Sequence, residues 1–445
     1  MFKKILIANR GEVALRVIRA AKEFGLATVA VYSQADAESL HVRFADEAIC
    51  IGPPKATSSY LSMSQIIAAA EVTGAEAIHP GSGFLAENPT FAEICEEHHF
   101  RFIGPAPEAI RTMGDKAEAR KIAVSAGVPI IPGCENPISS EKEALEIAEK
   151  VGYPVLLKAV AGGGGKGMRV VEEDRQMRES LAMAQAEAQA AFANPQLYLE
   201  RYIAKPRHIE VQILADSLGN MVHLGERECS IQFRHQKLLE ETPSPIVDPK
   251  LRKELGEAAL RLAKVVNYSN AGTVEFILDK EGKFYFIEMN TRIQVEHPIT
   301  EVTTNIDLIK EQIRLSAGEN LGYTQKDIKF SGHAIECRIN AADPKKNLAP
   351  SPGKITDLHL PAGPGVRIDS HIYSGYSIPL EYDSLLAKLI VCGKDRTEAI
   401  ARMSRALNEC VIEGIATTVP LHLQIMEDKD FREGVFDTHF LERYV

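Results

Sequence analysis

The chain has 445 residues, a net charge of −10, 45% hydrophobic and 25% charged residues: a globular composition with room for two or three domains around a large core. The acidic balance disfavours nucleic acid or an anionic membrane as the main partner, and no apolar run approaches the roughly 20 residues of a membrane span. Seven cysteines, odd in number and without metal-site spacing, read as a reduced, cytoplasmic protein free of structural disulfides.

The first 115 residues alternate strand and helix. Lys4–Ala8 reads as a strand, Gly11–Phe24 as an amphipathic helix and Thr28–Tyr32 as the next strand, a βαβ opening. Asn9-Arg10-Gly11-Glu12 fills the strand-to-helix turn, where α/β folds place ligands. A strand from Glu76 ends in the Gly-rich turn His79-Pro-Gly-Ser-Gly83, and Glu87 and Asn88 beyond it suit a site or an ordinary βα connection. After Gly104-Pro-Ala-Pro, one helix is expected through Met113-Gly-Asp-Lys116. The helix Glu141–Val151 and the apolar run Tyr153–Val160 open a small domain ending near Tyr202. It carries Ala161-Gly-Gly-Gly-Gly-Lys166-Gly-Met168, four glycines whose N–H groups can turn toward an anion, so a flap over nucleotide phosphates is expected. The spacing is neither a Walker A loop nor a dinucleotide fingerprint.

His208–Leu214 and Met221–Gly225 read as paired strands, and Pro249–Val266 as a long helix. Gly272–Leu278 and Phe284–Glu288 form a hairpin around Glu281-Gly282, which sets Glu275 across from Glu288. Opposed like charges are unfavourable, and a magnesium or manganese ion with Asn290 as a third oxygen ligand would reverse the penalty. From Glu288 to Glu296 polar and mostly apolar residues alternate; an extended segment would put Glu288, Asn290, Arg292, Gln294 and Glu296 on one face and Met289, Ile293 and Val295 on the other. Hard oxygen ligands there lie beside an anion clamp and a base. From about Gly332 a third, mainly β unit is expected, with turns at Pro350-Ser-Pro-Gly353 and Pro361–Gly365.

With flap, hairpin and Glu-Met-Asn-Thr-Arg-x-Gln-Val-Glu assembled, the chain resembles biotin carboxylase, the ATP-grasp component of biotin-dependent carboxylases, over essentially its whole length. Further matching blocks are Ile7–Glu12, His79-Pro-Gly-x-Gly-Phe-Leu, Met113–Lys116, Gln232-x-Arg-His235-Gln-Lys237, Gly332–Asn340, Pro350–Ile355 and Tyr382-Asp-Ser. The resemblance implies an α/β fold: a Rossmann-like N-terminal domain (1–115), an ATP-grasp domain (116–331) with a mobile lid at about 131–203, and a mainly β C-terminal domain (332–445).

It implies ATP-driven carboxylation of biotin on a separate biotin carboxyl carrier protein, with bicarbonate activated as carboxyphosphate. Glu296 would be the base. Arg292, Arg338 and Lys237, with Gln294, the Val295 backbone, Ser82 and Gly83, would bind bicarbonate and biotin. Glu275, Glu288 and Asn290 would hold two Mg²⁺ or Mn²⁺ ions. Lys116, Lys158 and the flap Gly162, Gly163, Gly164 and Gly165 would meet phosphates. Met168, Glu200, Arg201, Ile203 and Ile277, with His208, Gln232 and His235, would surround adenine and ribose.

Three positions depart from the family pattern: Ser82 stands where Tyr is usual, Phe233-Arg234 replaces paired arginines, and Arg201 replaces Lys. None removes an acid, base or metal ligand. No Ala-Met-Lys-Met type biotin-attachment motif occurs, so a carrier in trans and carboxyltransferase subunits are the expected partners. A homodimer is also implied, with Arg16, Arg19 and Glu23 on one face of the first helix as candidate contacts. The default pathway is acetyl-CoA carboxylation for fatty-acid synthesis, and the alternative is a component of a pyruvate or other acyl-CoA carboxylase. Another ATP-grasp ligase would lack Arg292-x-Gln-Val-Glu296 with Arg338; a non-catalytic ATP-binding regulator would have lost Glu296, Lys237 or a metal ligand.

Overall fold

The alternation at the N-terminus folds as a parallel sheet. In the computed structural model, which describes residues 1–134, 136–160 and 168–444, β1 (Lys4–Ile7), β2 (Ala27–Tyr32), β3 (Glu47–Cys50), β4 (Ala77–His79) and β5 (Arg101–Phe102) lie in the order β3-β2-β1-β4-β5, all parallel. Ile5, Leu6 and Ile7 of the central strand are fully buried, as a strand covered on both faces requires. The helix Gly11–Glu23 forms where expected.

The single helix expected through Met113–Lys116 is two helices, Pro107–Gly114 and Lys116–Ser125. Asp115 separates them: its backbone is extended, and its carboxylate accepts from the N–H groups of Ala117 and Glu118, which caps the second helix and makes Lys116 its first residue. The helix Glu141–Val151 is as expected, capped by Ser140. It packs with the helix Asp174–Phe192 around a small antiparallel sheet of β6 (Val155–Ala159), β7 (Met168–Val171) and β8 (Leu197–Arg201), ordered β7-β6-β8. The flap glycines Gly162–Gly165 lie outside the described residues.

The largest sheet takes β9 (Arg207–Ala215), β10 (Met221–Phe233), β11 (Gln236–Thr242), β12 (Asn270–Leu278), β13 (Phe284–Asn290) and β14 (His333–Asn340). Two short ribbons follow, β15 (Ala342–Asp343) with β16 (Ala349–Pro350), and β17 (Leu358–His359) with β20 (Val411–Ile412). With β18 (Val366–Ser370) and β19 (Leu385–Gly393), the described residues give an antiparallel sheet ordered β13-β12-β9-β10-β11-β14-β19-β18. The strands expected beyond Gly332 are therefore present, and β14, β18 and β19 continue this sheet through the β11–β14 pairing. The helices Arg396–Glu409 and Val419–Glu427 cover one of its faces through Ile335, Cys337, Leu389, Met403 and Ile425.

The segment Glu288–Glu296 is extended only as far as Asn290. Thr291–Glu296 turns away into the helix His297–Thr304, with Pro298 in its first turn. Met289 and Ile293 are buried as the alternation required, while Val295 is half-buried. No described helix is long and apolar enough to cross a membrane, and all seven cysteines are free thiols.

Candidate functional site

Register brings the acids together. Glu275 lies opposite Glu288 on β13, as the hairpin predicted, and opposite Glu210 on β9 on its other side. Three carboxylates in one row need cations nearby. The Lys237 ammonium lies 2.5 Å from Glu210 and 2.9 Å from Glu275. The His208 ring is 2.8 Å from Glu275. The fully buried Arg227 bonds Glu210 at 2.5 Å and also reaches Gln212, Thr273 and Thr300. Burial would raise the Glu275 carboxyl, but Lys237 and His208 outweigh it and hold it far below the usual range. Glu288, at the half-buried end of the row, is raised by burial and by the Glu275 charge.

Lys237 also reaches Glu296, 2.7 Å away, and Arg338 bonds the other Glu296 oxygen at 2.9 Å. Glu296 is fully buried, which disfavours its charge, yet Lys237, Arg338 and Arg227 together keep it well below the ordinary carboxylate range. Arg338 is shared: its Nε donates to Glu240 at 2.6 Å. Burial pushes Glu240 up to about 7 against the pull of Arg338.

Arg292 donates to four side chains, Glu87 (2.8 Å), Gln294 (2.8 Å), Asn290 (3.1 Å) and the Ser82 hydroxyl (3.2 Å), and to the Ile293 carbonyl (3.3 Å). The turn carrying Ser82 is braced by Asn9, whose amide donates to the carbonyls of Pro80 and Ser82. Gly81 has φ +66 there, and a Cβ would stand 2.8 Å from that amide, so only glycine fits. Gln294 Nε2 donates to Glu275 at 3.2 Å. Asn88 caps the helix Pro89–Glu97, a structural task, while Glu87 turns to the site.

At the other end, Lys158 is 3.3 Å and Arg120 3.1 Å from Glu200, and Arg201 donates to the Tyr285 hydroxyl at 2.7 Å. Phe233 packs on the core with the Arg234 guanidinium over its ring. One cleft of about 1330 Å³ is lined by every described residue the sequence had placed in the site, from Lys116, Met168, Ile203, Gln232, His235 and Ile277 to Ser82, Gly83, Val295 and Arg338.

The donors Glu275, Glu288 and Asn290 are hard oxygens, the chemistry of Mg²⁺ or Mn²⁺. His208, Glu210 and Glu275 bring donor atoms within 4.8 Å, but the Lys237 ammonium already sits between the two carboxylates. The place that could hold a divalent ion is therefore the Glu275–Glu288 end, where, among the described residues, no ammonium bridges the two carboxylates as Lys237 bridges Glu210 and Glu275.

Sequence reasoning missed Glu210, Arg227, Glu240 and Lys388. Glu210 had a signal in the polar alternation His208-x-Glu210-x-Gln212, and Lys388 in being one charge in the apolar run Leu385–Cys392. Of the three residues expected at an intersubunit face, Arg16 is turned inward, pairing with Glu301 and Asp307, because the helix packs that side against the core; Glu23 pairs with Lys310, and Arg19 is exposed.

Three family models match the chain: biotin carboxylase N-terminal domain over residues 1–110, carbamoyl-phosphate synthase L chain ATP-binding domain over 115–324, and biotin carboxylase C-terminal domain over 336–443. The biotin carboxylase of Nostoc sp. is 57% identical over 441 residues, 99% of each chain. A pyruvate carboxylase subunit from Methanothermobacter thermautotrophicus is 55% identical over 444 residues, 100% of this chain and 90% of that one. The biotin carboxylase domain dimer of Hydrogenobacter thermophilus 2-oxoglutarate carboxylase, solved with MgADP, ADP and bicarbonate, superposes with a TM-score of 0.94 at 50% identity, covering 100% and 98% of the two chains.

Proposed function

This chain belongs to the biotin carboxylase family, and we propose that its cleft uses ATP and bicarbonate to carboxylate biotin carried by a separate protein. One observation carries the reading: a buried carboxylate, Glu296, gripped by Lys237 and Arg338 at one end of a cleft whose other end opposes Glu275 and Glu288.

Glu296, kept ionised by its two cations, is the base that takes the bicarbonate proton as oxygen attacks the γ-phosphate of ATP. Lys237, Arg292, Gln294 and the Val295 backbone hold the bicarbonate anion. Carboxyphosphate then breaks down to CO₂ and phosphate beside biotin. The phosphate takes the N1′ proton, Arg338, with Ser82 and Gly83 nearby, stabilises the resulting enolate oxygen of the ureido ring, and N1′ attacks CO₂ to give carboxybiotin. Glu275, Glu288 and Asn290 would hold the divalent ions, which supply charge neutralisation at the phosphates. Lys116 and Lys158 contact phosphates; Met168, Ile203 and Ile277 flank adenine, with Glu200 and Arg201 at its edge and His208, Gln232 and His235 beside ribose. The small unit of β6, β7 and β8 with the helices Glu141–Val151 and Asp174–Phe192 closes as a lid over the nucleotide.

The partners in this reading are a biotin carboxyl carrier protein and carboxyltransferase subunits of a cytoplasmic acetyl-CoA carboxylase, with the chain itself a homodimer. The 55% identity to a pyruvate carboxylase subunit favours a second complex, with pyruvate as final acceptor. Purified protein should hydrolyse ATP with bicarbonate and faster with added free biotin; no biotin stimulation overturns the reading. Carboxylation of one candidate carrier over the other decides the complex, and sedimentation of a monomer at micromolar concentration refutes the dimer.

A further inference from the structure

The motif Asn9-Arg10-Gly11-Glu12 opens the first helix, yet Glu12 has no part in the chemistry above. Its carboxylate crosses to β19, where the Lys388 ammonium lies 3.0 Å from Glu12 Oε2. Lys388 is fully buried and donates to the Val295 carbonyl at 3.0 Å, with Asp369 of β18 3.9 Å away. Register explains the rest. Lys388 is the cross-strand partner of Arg338 on β14, so the two side chains share a face about 5 Å apart at their Cβ atoms. Arg338 grips the Glu296 carboxylate while Lys388 grips the carbonyl of the residue before it.

We propose that Glu12 and Lys388 form a strut that positions the Val295–Glu296 peptide for bicarbonate, a role resting on the functional reading above. The Val295 carbonyl belongs to the same planar peptide as the Glu296 N–H. Pinning it therefore fixes the direction from which the Glu296 side chain leaves the backbone, and with it the approach of the base to the anion. The rest of the loop lacks strand pairing, because β13 ends at Asn290. The His297 ring, 2.8 Å from the Gln294 carbonyl, and Lys388 are its braces on the helix side. Glu12 supplies the counter-charge that lets a buried lysine stay protonated, and so keeps it a donor. Lys388 is thus a positioning residue: it meets the loop and never the substrate.

The test is steady-state kinetics of the full chain with ATP, magnesium, free biotin and varied bicarbonate. Lys388→Met removes the donor but leaves Glu12 buried alone, so Glu12→Gln with Lys388→Met is the deciding variant. It should melt within a few degrees of the unaltered protein and bind ADP within two-fold. Its bicarbonate KM should rise at least ten-fold. A folded double variant with bicarbonate KM and kcat within two-fold of normal overturns the strut, as does an equal loss of ADP and bicarbonate affinity. Should neither Met variant fold, Glu12→Ala carries the same expected split at smaller size, and an unchanged bicarbonate KM there overturns it. The unaltered protein is the control for the reading beneath: without biotin-stimulated ATP hydrolysis, both fall together.

Discussion

Glu288 and Glu296 sit eight positions apart on one segment and are treated oppositely. Glu296 is fully buried and held ionised by Lys237 and Arg338. Glu288 is half-buried and faces another carboxylate, so burial and Glu275 raise it. The protein brings its own cations to Glu296, the acid proposed to accept a proton. Glu288 instead faces Glu275 across the hairpin with no ion-pair partner among the described residues, which suits the metal role proposed for it. The difference follows from strand position: β13 ends after Glu288 has paired with β12, while Glu296 has left the sheet to meet side chains from β11 and β14.

The comparison breaks most severely at Glu288. Glu288→Lys should pair with Glu275 and fill the place of the ion, abolishing magnesium-dependent ATP cleavage without unfolding the chain. Normal turnover in that variant would remove the metal assignment. Next is Glu296→Gln, which keeps size and hydrogen bonding but cannot accept the proton: biotin carboxylation should fall by roughly two to four orders of magnitude, with ADP binding little changed. Carboxylation at a near-normal rate is the result that defeats the base. Arg338→Gln should be milder on ATP cleavage than on carboxylation, because the enolate appears only in the second stage; equal loss of both would place Arg338 with bicarbonate alone.

The smallest effect concerns pH and lies outside the acid row. His79 Nδ1 accepts from the Gly81 N–H at 3.0 Å, and burial holds the ring near pKa 3 instead of 6.5. The unfolded chain takes up a proton as pH falls through 6.5, whereas the folded one does so only near 3. This contribution is full above 6.5 and declines below it, by up to about 1.4 kcal/mol per pH unit. Melting temperature should drop between about pH 7.5 and 5, and His79→Gln should shrink the drop. An identical drop in the variant would clear His79 of it.

Period-two alternation, β-branched runs and a Gly turn made the hairpin legible, down to the Glu275–Glu288 register. They are local signals, and local energies decide them. The extended reading of Thr291–Glu296 failed because the turn is held by partners remote in sequence: Glu87 takes the Thr291 N–H and Lys388 the Val295 carbonyl. Asp115 divided a helix because its side chain outbids the preceding turn for two N–H groups. Arg16 could not be separated from a solvated charge by spacing alone; its partners Glu301 and Asp307 lie far down the chain. Most site residues follow from the family resemblance, whereas Arg227 emerges only when β9, β10 and β12 lie side by side, and the alternation around Glu210 marks its face but not its partners.

The β11–β14 pairing has a consequence for dividing the molecule. The second and third family matches meet between residues 324 and 336, which invites a cut there, yet β14 begins at His333 and is hydrogen-bonded along β11. A chain ended at residue 331 would present the bare edge of β11, a row of open backbone donors and acceptors that seeks any strand at hand. Such a truncation should self-associate when expressed by itself, and a separately made 332–445 piece should heal it by strand complementation. The seam is sewn with backbone hydrogen bonds, so the two stretches fold as one body.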